Sequence, residues 1–263
     1  MLEIKDLHVS FLEPEGDGEV IHGISLSMAA GELLGLVGES GSGKSVTALT
    51  VAGLLSRRKV RISGEVLFQG RDLLKCTRGE LRKIQGKEIG MVFQEPMTSL
   101  DPLMKAGLQV EEVLRIHTDL PAAERKARAI EIMGRVGLPR PEHYYEKYPH
   151  QLSGGQRQRT MIASALIANP ALLLADEPTT ALDVTVQAQI IELLKEINRD
   201  MGTGILFISH DLHVIRKLCT RVAVMYQGSI VETGPTEEVF NHPQDDYTKR
   251  LIAAIPTREK RKR

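Results

Sequence analysis

The sequence predicts an α/β fold in which a helical lobe is inserted into the core. Two short segments, LLGLV (33–37) and ALLLA (171–175), are wholly apolar, which is typical of parallel strands buried on both faces. A glycine-rich turn follows the first of them and leads into a predicted helix. From about Pro96 to Arg159, strand patterns stop and helical segments dominate. The length of 263 residues suits one large domain or a core that carries a smaller lobe.

The elements of the first part follow from alternating apolar residues, turn residues and short apolar runs. In chain order, the sequence predicts strands within 1–37 around a polar turn at 13–19, a helix from about Lys44 to Leu55, a strand at 62–70, a helix at 78–84 and a strand at 89–94.

The lobe and the returning core follow the same logic. The lobe has helical segments at 110–116 and 122–137, and after it come the apolar run 171–175, a helix at 184–200, a strand at 204–209, a helix at 211–218 and strands near 221–227 and 229–233.

The composition limits the classes of function. The chain has 34 Lys and Arg against 34 Asp and Glu, whereas a domain held by nucleic-acid phosphates usually has a basic excess. Its two cysteines, Cys76 and Cys219, lack any metal-ligand spacing and are expected to be reduced thiols. The N-terminus lacks the layout of a signal peptide, and no apolar run approaches the ~20 residues that span a bilayer. We therefore expect no nucleic-acid partner, and any membrane association through other proteins.

The glycine-rich turn GESGSGKS (38–45) has the spacing of a phosphate-binding loop between a buried strand and a helix. Its glycines let backbone amides surround phosphates, and the following helix N-terminus favours anions. Lys44 is expected to contact the β- and γ-phosphates and Ser45 to bind Mg²⁺; the alternative is a plain strand–helix turn with an incidental lysine. The candidate nucleotide-binding residues here are Gly38, Glu39, Ser40, Gly41, Ser42, Gly43, Lys44, Ser45 and Val46.

Two carboxylates, Asp176 and Glu177, follow the second apolar run. At the end of a parallel strand beside a phosphate loop, Asp176 suits Mg²⁺ and Glu177 suits the polarisation of an attacking water. The alternative is an acidic cluster that stabilises the next helix through its dipole.

The segment LSGGQRQR (152–159) places a hydroxyl and two glycines at a predicted helix start, a second anion-binding arrangement. The alternative is a glycine-containing loop that caps a helix. The segment resembles the signature motif of ABC ATPases, and that resemblance extends over nearly the whole chain. In the family, the signature of one subunit meets ATP held by the phosphate loop of its partner. The resemblance assigns this contact to Ser153, Gly154, Gly155 and Gln156.

The resemblance implies the ABC ATPase fold, with a P-loop NTPase core of mixed sheet, an antiparallel β subdomain and an inserted helical lobe. It implies a single ABC ATPase domain over 1–263, divided into a core with its β subdomain at 1–95 and 160–240, a helical lobe at 96–159 and a C-terminal helix with a basic tail at 241–263.

The resemblance also assigns roles to single residues. Gln94 looks like the glutamine that contacts Mg²⁺ or water, and His210 looks like the switch histidine at the γ-phosphate. Asp183, in ALD (181–183), is expected to reach across the dimer and also to cap the next helix. Phe11 is the candidate for stacking on adenine, although it could equally be a core strand residue. The implied Mg²⁺ ligands are Ser45, Gln94 and Asp176, and the implied catalytic residues are Glu177, His210 and Gln94.

Two further segments, 94–102 and 234–256, resemble the peptide/nickel importer group of ABC ATPases. Long members of that group carry a C-terminal extension with a cysteine cluster, which this sequence lacks, so peptides, nickel and other metal chelates stay open as cargo. The implied function is hydrolysis of ATP coupled to solute uptake. The implied partners are a second ATPase subunit in head-to-tail contact, two integral membrane permease subunits and an extracellular or periplasmic binding protein. The chain is then expected at the cytoplasmic face of the membrane, bound peripherally.

Two other functions have less support in the sequence. A non-transport ABC ATPase that acts on nucleic acid or ribosomes usually has tandem ATPase domains, a long coiled coil or zinc modules, and none is visible here. A regulatory ATPase without a transport partner has no specific support. The basic end, REKRKR (258–263), is interpreted as a solvated terminus or as a contact with anionic lipid.

Overall fold

The structure is a computed structural model that describes residues 1–12, 18–180 and 182–254. Most of the polar turn predicted at 13–19, the alanine of the ALD motif and the basic end at 258–263 lie outside the described residues. The chain forms two compact units, one of residues 1–75 with 207–263 and one of residues 76–206.

The elements are numbered in chain order. The strands are β1 (Leu2–Phe11), β2 (Gly18–Met28), β3 (Leu33–Val37), β4 (Val60–Phe68), β5 (Arg71–Asp72), β6 (Ile89–Val92), β7 (Leu172–Asp176), β8 (Gly204–Ser209), β9 (Arg221–Tyr226) and β10 (Ser229–Pro235). The helices are α1 (Lys44–Val51), α2 (Arg78–Ile84), α3 (Pro96–Ser99), α4 (Ala106–His117), α5 (Ala122–Arg135), α6 (Pro141–Tyr145), α7 (Gly154–Leu166), α8 (Val184–Met201), α9 (Leu212–Leu218), α10 (Thr236–Asn241) and α11 (Asp246–Ala253), with a 3-10 turn at Pro149–Gln151.

An antiparallel sheet in the order β2-β1-β4-β5 forms one part of the first unit. Leu2 of β1 lies opposite Met28 of β2 on one side and Phe68 of β4 on the other. All three side chains are buried. Alternate residues of each strand point to the same face, so one face of the sheet packs on the core. This sheet is the antiparallel β subdomain that the resemblance implies.

The first unit also holds the strand that precedes the phosphate loop. Its other strands lie in the order β10-β9-β3. Strand β3 is parallel to β9, and β9 is antiparallel to β10, so the sheet is mixed as predicted. All five residues of β3 are buried. The turn between β9 and β10 has positive φ at Gln227 and Gly228, 43° and 78°, as a tight hairpin between twisted strands requires.

In the second unit, β6 is parallel to β7, and β8 follows β7 in the strand order. From α3 to α7 the chain is helical, which matches the predicted helical lobe. Helix α4 packs against α5 and α7 through a buried stripe that includes Val110 and Leu114. A methyl group on Gly107 of α4 would come within 2.0 Å of the Tyr145 ring. The compact unit takes in the neighbouring strands as well, and the lobe limits 96–159 stay a prediction.

Helix α1 is shorter than the sequence predicts, because it ends at Val51 and not at Leu55. Gly53 adopts a φ of 67°. Its N–H donates to the carbonyl of Thr50, and the N–H of Leu54 donates to the carbonyl of Leu49. These two bonds are the Schellman ending that a glycine after a helix favours.

Among the described residues, no helix combines the length and apolar character needed to cross a membrane.

Candidate active site

The loop between β3 and α1 has a shape that only glycine permits at two positions. A methyl group on Gly38 would come within 2.0 Å of the carbonyl oxygen of Met225. Gly43 has a φ of 103°, and a methyl group there would come within 2.5 Å of Cδ1 of Ile21. Because these two positions carry no side chain, the backbone of the loop can approach a bound phosphate closely.

Lys44 is buried at the start of α1, with a relative exposure of 5%. Its ammonium group donates to the carbonyl oxygens of Gly38 and Glu39 at 2.8 and 2.7 Å and approaches Oγ of Ser42 at 3.3 Å. A buried cation is costly unless its donors are satisfied, and an added anion stabilises it further. The first turn of α1 contains no acidic residue, so its N-terminal dipole also favours an anion.

The remaining loop residues complete this arrangement. Glu39, Ser40 and Gly41 are exposed, whereas Ser45 and Val46 are half-buried on the first turn of α1. Outside the loop, the N–H of Gly228 in the β9–β10 turn donates to the carbonyl of Ser42 at 3.1 Å. The turn between β9 and β10 thus stabilises the loop through a hydrogen bond to the loop backbone.

In the second unit, β7 ends at Asp176, which is 6% exposed, and Glu177 follows with a φ of 45°. A positive φ at a non-glycine residue is uncommon, and such residues cluster at functional sites. Oε2 of Glu177 accepts hydrogen bonds from Nε2 of Gln94 at 3.0 Å and from Oγ1 of Thr180 at 2.9 Å. Two residues that the sequence predicts to be catalytic, Gln94 and Glu177, are therefore in direct contact. Sequence reasoning missed Thr180.

The predicted anion-binding start of α7 is a complete capping box. Oγ of Ser153 accepts the N–H of Gln156 at 3.3 Å, and Oε1 of Gln156 accepts the N–H of Ser153 at 2.9 Å. Nε2 of Gln156 also donates to the hydroxyl of Tyr144 at 2.9 Å. Gly154 and Gly155 occupy the first two positions of α7, whose N–H groups have no partner within a helix. The sequence contained no signal that pointed to Tyr144.

Asp183 caps α8, because its Oδ1 accepts the N–H of Val186 at 2.9 Å. This confirms the predicted capping role; the predicted reach across a dimer stays a prediction. His210 is exposed and follows the last residue of β8. Phe11 is half-buried at the end of β1, between Gly18 and Val60 of the neighbouring strands. Its contact with adenine stays a prediction.

The residues predicted to bind Mg²⁺ offer the right donor atoms. Ser45 supplies a hydroxyl, Asp176 a carboxylate and Gln94 an amide oxygen, and Mg²⁺ prefers oxygen ligands. Because Nε2 of Gln94 donates to Glu177, the side-chain oxygen is the end of this amide suited to a cation. Each of the three side chains, taken by itself, therefore offers a donor that suits the ion, and their joint coordination of Mg²⁺ stays a prediction.

Comparisons with known proteins give a consistent result. The sequence model of the ABC transporter family matches residues 21–180. The oligopeptide transport ATP-binding protein OppD of Bacillus subtilis (strain 168) is 50% identical over 98% of this chain and 73% of its own length. The protein of the same name from Escherichia coli (strain K12) is 46% identical over 97% of this chain and 76% of its own length. The dipeptide transport ATP-binding protein DppD of Lactococcus lactis subsp. cremoris (strain MG1363) is 49% identical over 98% and 74%.

Solved structures agree with this result. A dimeric post-hydrolysis state of the ATP-binding cassette MJ0796, bound to ADP and Pi, matches with a TM-score of 0.81 and 31% identity over 90% of this chain and 99% of that one. The structure of cbiO1 from Clostridium perfringens, part of the transporter complex cbiONQ, matches with a TM-score of 0.77 and 28% identity over 97% and 95%. The fold predicted from the sequence is confirmed.

Proposed function

Because this chain belongs to the ABC transporter family and is an ATP-hydrolysing subunit of an importer, we propose that its transporter takes up peptides. The sequence alone left peptides, nickel and other metal chelates open. Three relatives that are 46 to 50% identical over nearly the whole chain are oligopeptide or dipeptide transport proteins, which favours peptides. The same relatives favour transport over the non-transport alternatives.

The observation that carries the site assignment is the loop at 38–45, where two glycines allow a close backbone approach and the buried ammonium of Lys44 lies over carbonyl oxygens. In our proposal this loop holds the phosphates of ATP, and Lys44 stabilises their negative charge. Bound Mg²⁺ neutralises charge on the phosphate oxygens, and Ser45, Gln94 and Asp176 are its proposed ligands. Phe11 is proposed to stack on the adenine ring.

Hydrolysis needs a group that orients and polarises water, and we assign this role to Glu177. Its carboxylate is oriented by hydrogen bonds from Gln94 and Thr180, and a base held in position reacts more readily than a mobile one. His210 is assigned to the γ-phosphate.

The start of α7 and the cap of α8 are assigned to a second ATP, bound by a partner ATPase subunit in head-to-tail contact. The capping box fixes Ser153, and Asp183 lies at the start of α8. The support for a dimer is the dimeric state of the related cassette. The other proposed partners are two membrane permease subunits and an extracellular or periplasmic peptide-binding protein, with this chain bound peripherally at the cytoplasmic face.

The proposal is tested on the intact transporter, isolated from its own cells through a tag on this chain and placed in lipid vesicles. A mixture of short peptides is expected to stimulate ATP hydrolysis several-fold, and the matched complex that carries Lys44→Ala is expected to show no stimulation. Stimulation by a nickel chelate and not by peptides would assign the other cargo. Isolation of the chain without membrane subunits would contradict the partner assignment.

A further inference from the structure

A buried tyrosine far along the chain contacts the phosphate loop. Tyr247, in the first turn of α11, is 5% exposed. Its hydroxyl oxygen accepts a hydrogen bond from the N–H of Glu39 at 2.9 Å. Glu39 is the second residue of the loop, and the two residues are 208 positions apart. The bond therefore links the C-terminal part of the first unit to the proposed nucleotide site.

The ring of Tyr247 is held in place by a second tyrosine. It stacks on Tyr226 of β9, with ring centroids 4.1 Å apart and an interplanar angle of 27°, a geometry that stabilises aromatic pairs. Tyr226 follows Met225, whose carbonyl oxygen limits position 38 to glycine. The end of β9 and the start of α11 thus contact the first residues of the loop, Gly38 and Glu39.

Helix α11 is itself anchored to a strand. Oδ1 of Asp245 caps the helix by accepting the N–H groups of Tyr247 and Thr248 at 2.8 and 3.3 Å. The carboxylate of Glu232, on β10, accepts the N–H groups of Gln244 and Asp245 at 2.9 and 3.1 Å. The position of the phenol is consequently set by the sheet.

The Glu39 residue is fixed at both of its backbone polar groups. Its N–H donates to Tyr247 and its carbonyl accepts from the ammonium of Lys44. A phosphate that draws the lysine away removes the second bond but leaves the first. Burial raises the pKa of the Tyr247 phenol, so the hydroxyl stays neutral and accepts this bond throughout the neutral pH range.

We propose that Tyr247 is a positioning residue for ATP binding. Through the N–H of Glu39 it holds the first residues of the phosphate loop in the conformation that binds ATP. This inference rests on the proposed role of residues 38–45. Without the hydroxyl, the loop also populates other conformations. The apparent affinity for ATP then falls in proportion to the fraction of molecules whose loop can still bind ATP.

The test is Tyr247→Phe in the full chain, which keeps the ring and removes only the hydroxyl. Loss of one hydrogen bond is expected to raise the Kd and the KM for ATP about threefold to tenfold. At saturating ATP, kcat is expected to stay within about twofold of the parent, because ATP then occupies the loop in nearly every molecule. ATP binding is measured by calorimetry and turnover by phosphate release.

A matched control is Tyr145→Phe. Tyr145 is 4% exposed, and its hydroxyl approaches the carboxylate of Glu111 at 3.2 Å in the other unit. This change is expected to lower Tm without changing the Kd for ATP. If the Kd for ATP rises in both variants, the cause is the loss of any buried tyrosine hydroxyl, and the proposal is overturned.

An unchanged Kd in Tyr247→Phe overturns the inference alone, provided that Lys44→Ala loses binding. If Lys44→Ala binds ATP like the parent, the proposed site itself is wrong. Should Tyr247→Phe fail to fold, amide hydrogen exchange of the unmodified chain decides without mutation. A Glu39 N–H that is protected in the absence of nucleotide supports the proposal, and one that exchanges as fast as an exposed amide refutes it.

Discussion

Replacing Glu177 with glutamine separates the charge of this side chain from its shape. Both hydrogen bonds described above end on the same atom, Oε2, from Gln94 at 3.0 Å and Thr180 at 2.9 Å. An amide oxygen in that position accepts both, with the amide nitrogen in place of Oε1. These two bonds are therefore expected to contribute less than about 1 kcal/mol to any change in the free energy of unfolding.

The rate of hydrolysis is expected to respond much more strongly. A general base contributes about 10²–10⁴-fold to a rate, which corresponds to roughly 2.7–5.5 kcal/mol of activation free energy. Because the phosphate loop is untouched, ATP binding is expected to persist. With hydrolysis blocked, the ATP-bound dimer is expected to accumulate.

The assay compares phosphate release at saturating ATP, Tm and dimer formation by size-exclusion chromatography for the parent and Glu177→Gln. The matched control is Glu192→Gln, which removes an exposed carboxylate that pairs with Lys195 on α8. That control is expected to keep full activity. A Glu177→Gln protein with more than about a tenth of the parental rate would refute the assigned base.

Two further substitutions test other parts of the site, and a labelling experiment tests the burial of the two cysteines. Lys44→Ala is expected to weaken ATP binding at least about tenfold, since a charge-assisted contact with phosphate is lost; calorimetric affinity close to the parent's would contradict this. Ser153→Ala removes the cap that bonds to Gln156 and is expected to lower Tm by about 2–4 °C. It should reduce turnover while the isolated chain binds ATP normally, and equal loss of both would argue against a role across a dimer. Cys76 and Cys219 are buried, and burial raises the pKa of the Cys219 thiol. Both are expected to react with a thiol reagent at pH 8 only after denaturation, and rapid labelling of the native chain would contradict their burial.

The elements that sequence reasoning predicted well are those that depend on short-range patterns. The apolar run at 33–37 is β3, and the predicted helix at 184–200 is α8, Val184–Met201. A strand that is buried on both faces needs a continuous run of apolar residues, and a helix with one buried face needs apolar residues at a period of 3.6. Both patterns can therefore be recognised in a short segment of the sequence. The predicted end of α1 was wrong because a single glycine, Gly53, terminates the helix before the apolar pattern stops.

The sequence by itself determined the family, the glycine-rich loop and the identity of the side chains assigned to chemistry, because each is written in a continuous motif. Only the tertiary structure brought Gln94 to Glu177 across 83 positions and Tyr247 to Glu39 across 208. Such contacts depend on which strands pair and where each helix is anchored, and these long-range choices leave no period or spacing in the chain. The motif around position 38 was legible from the start, whereas the tyrosine that supports it was visible only in the folded molecule.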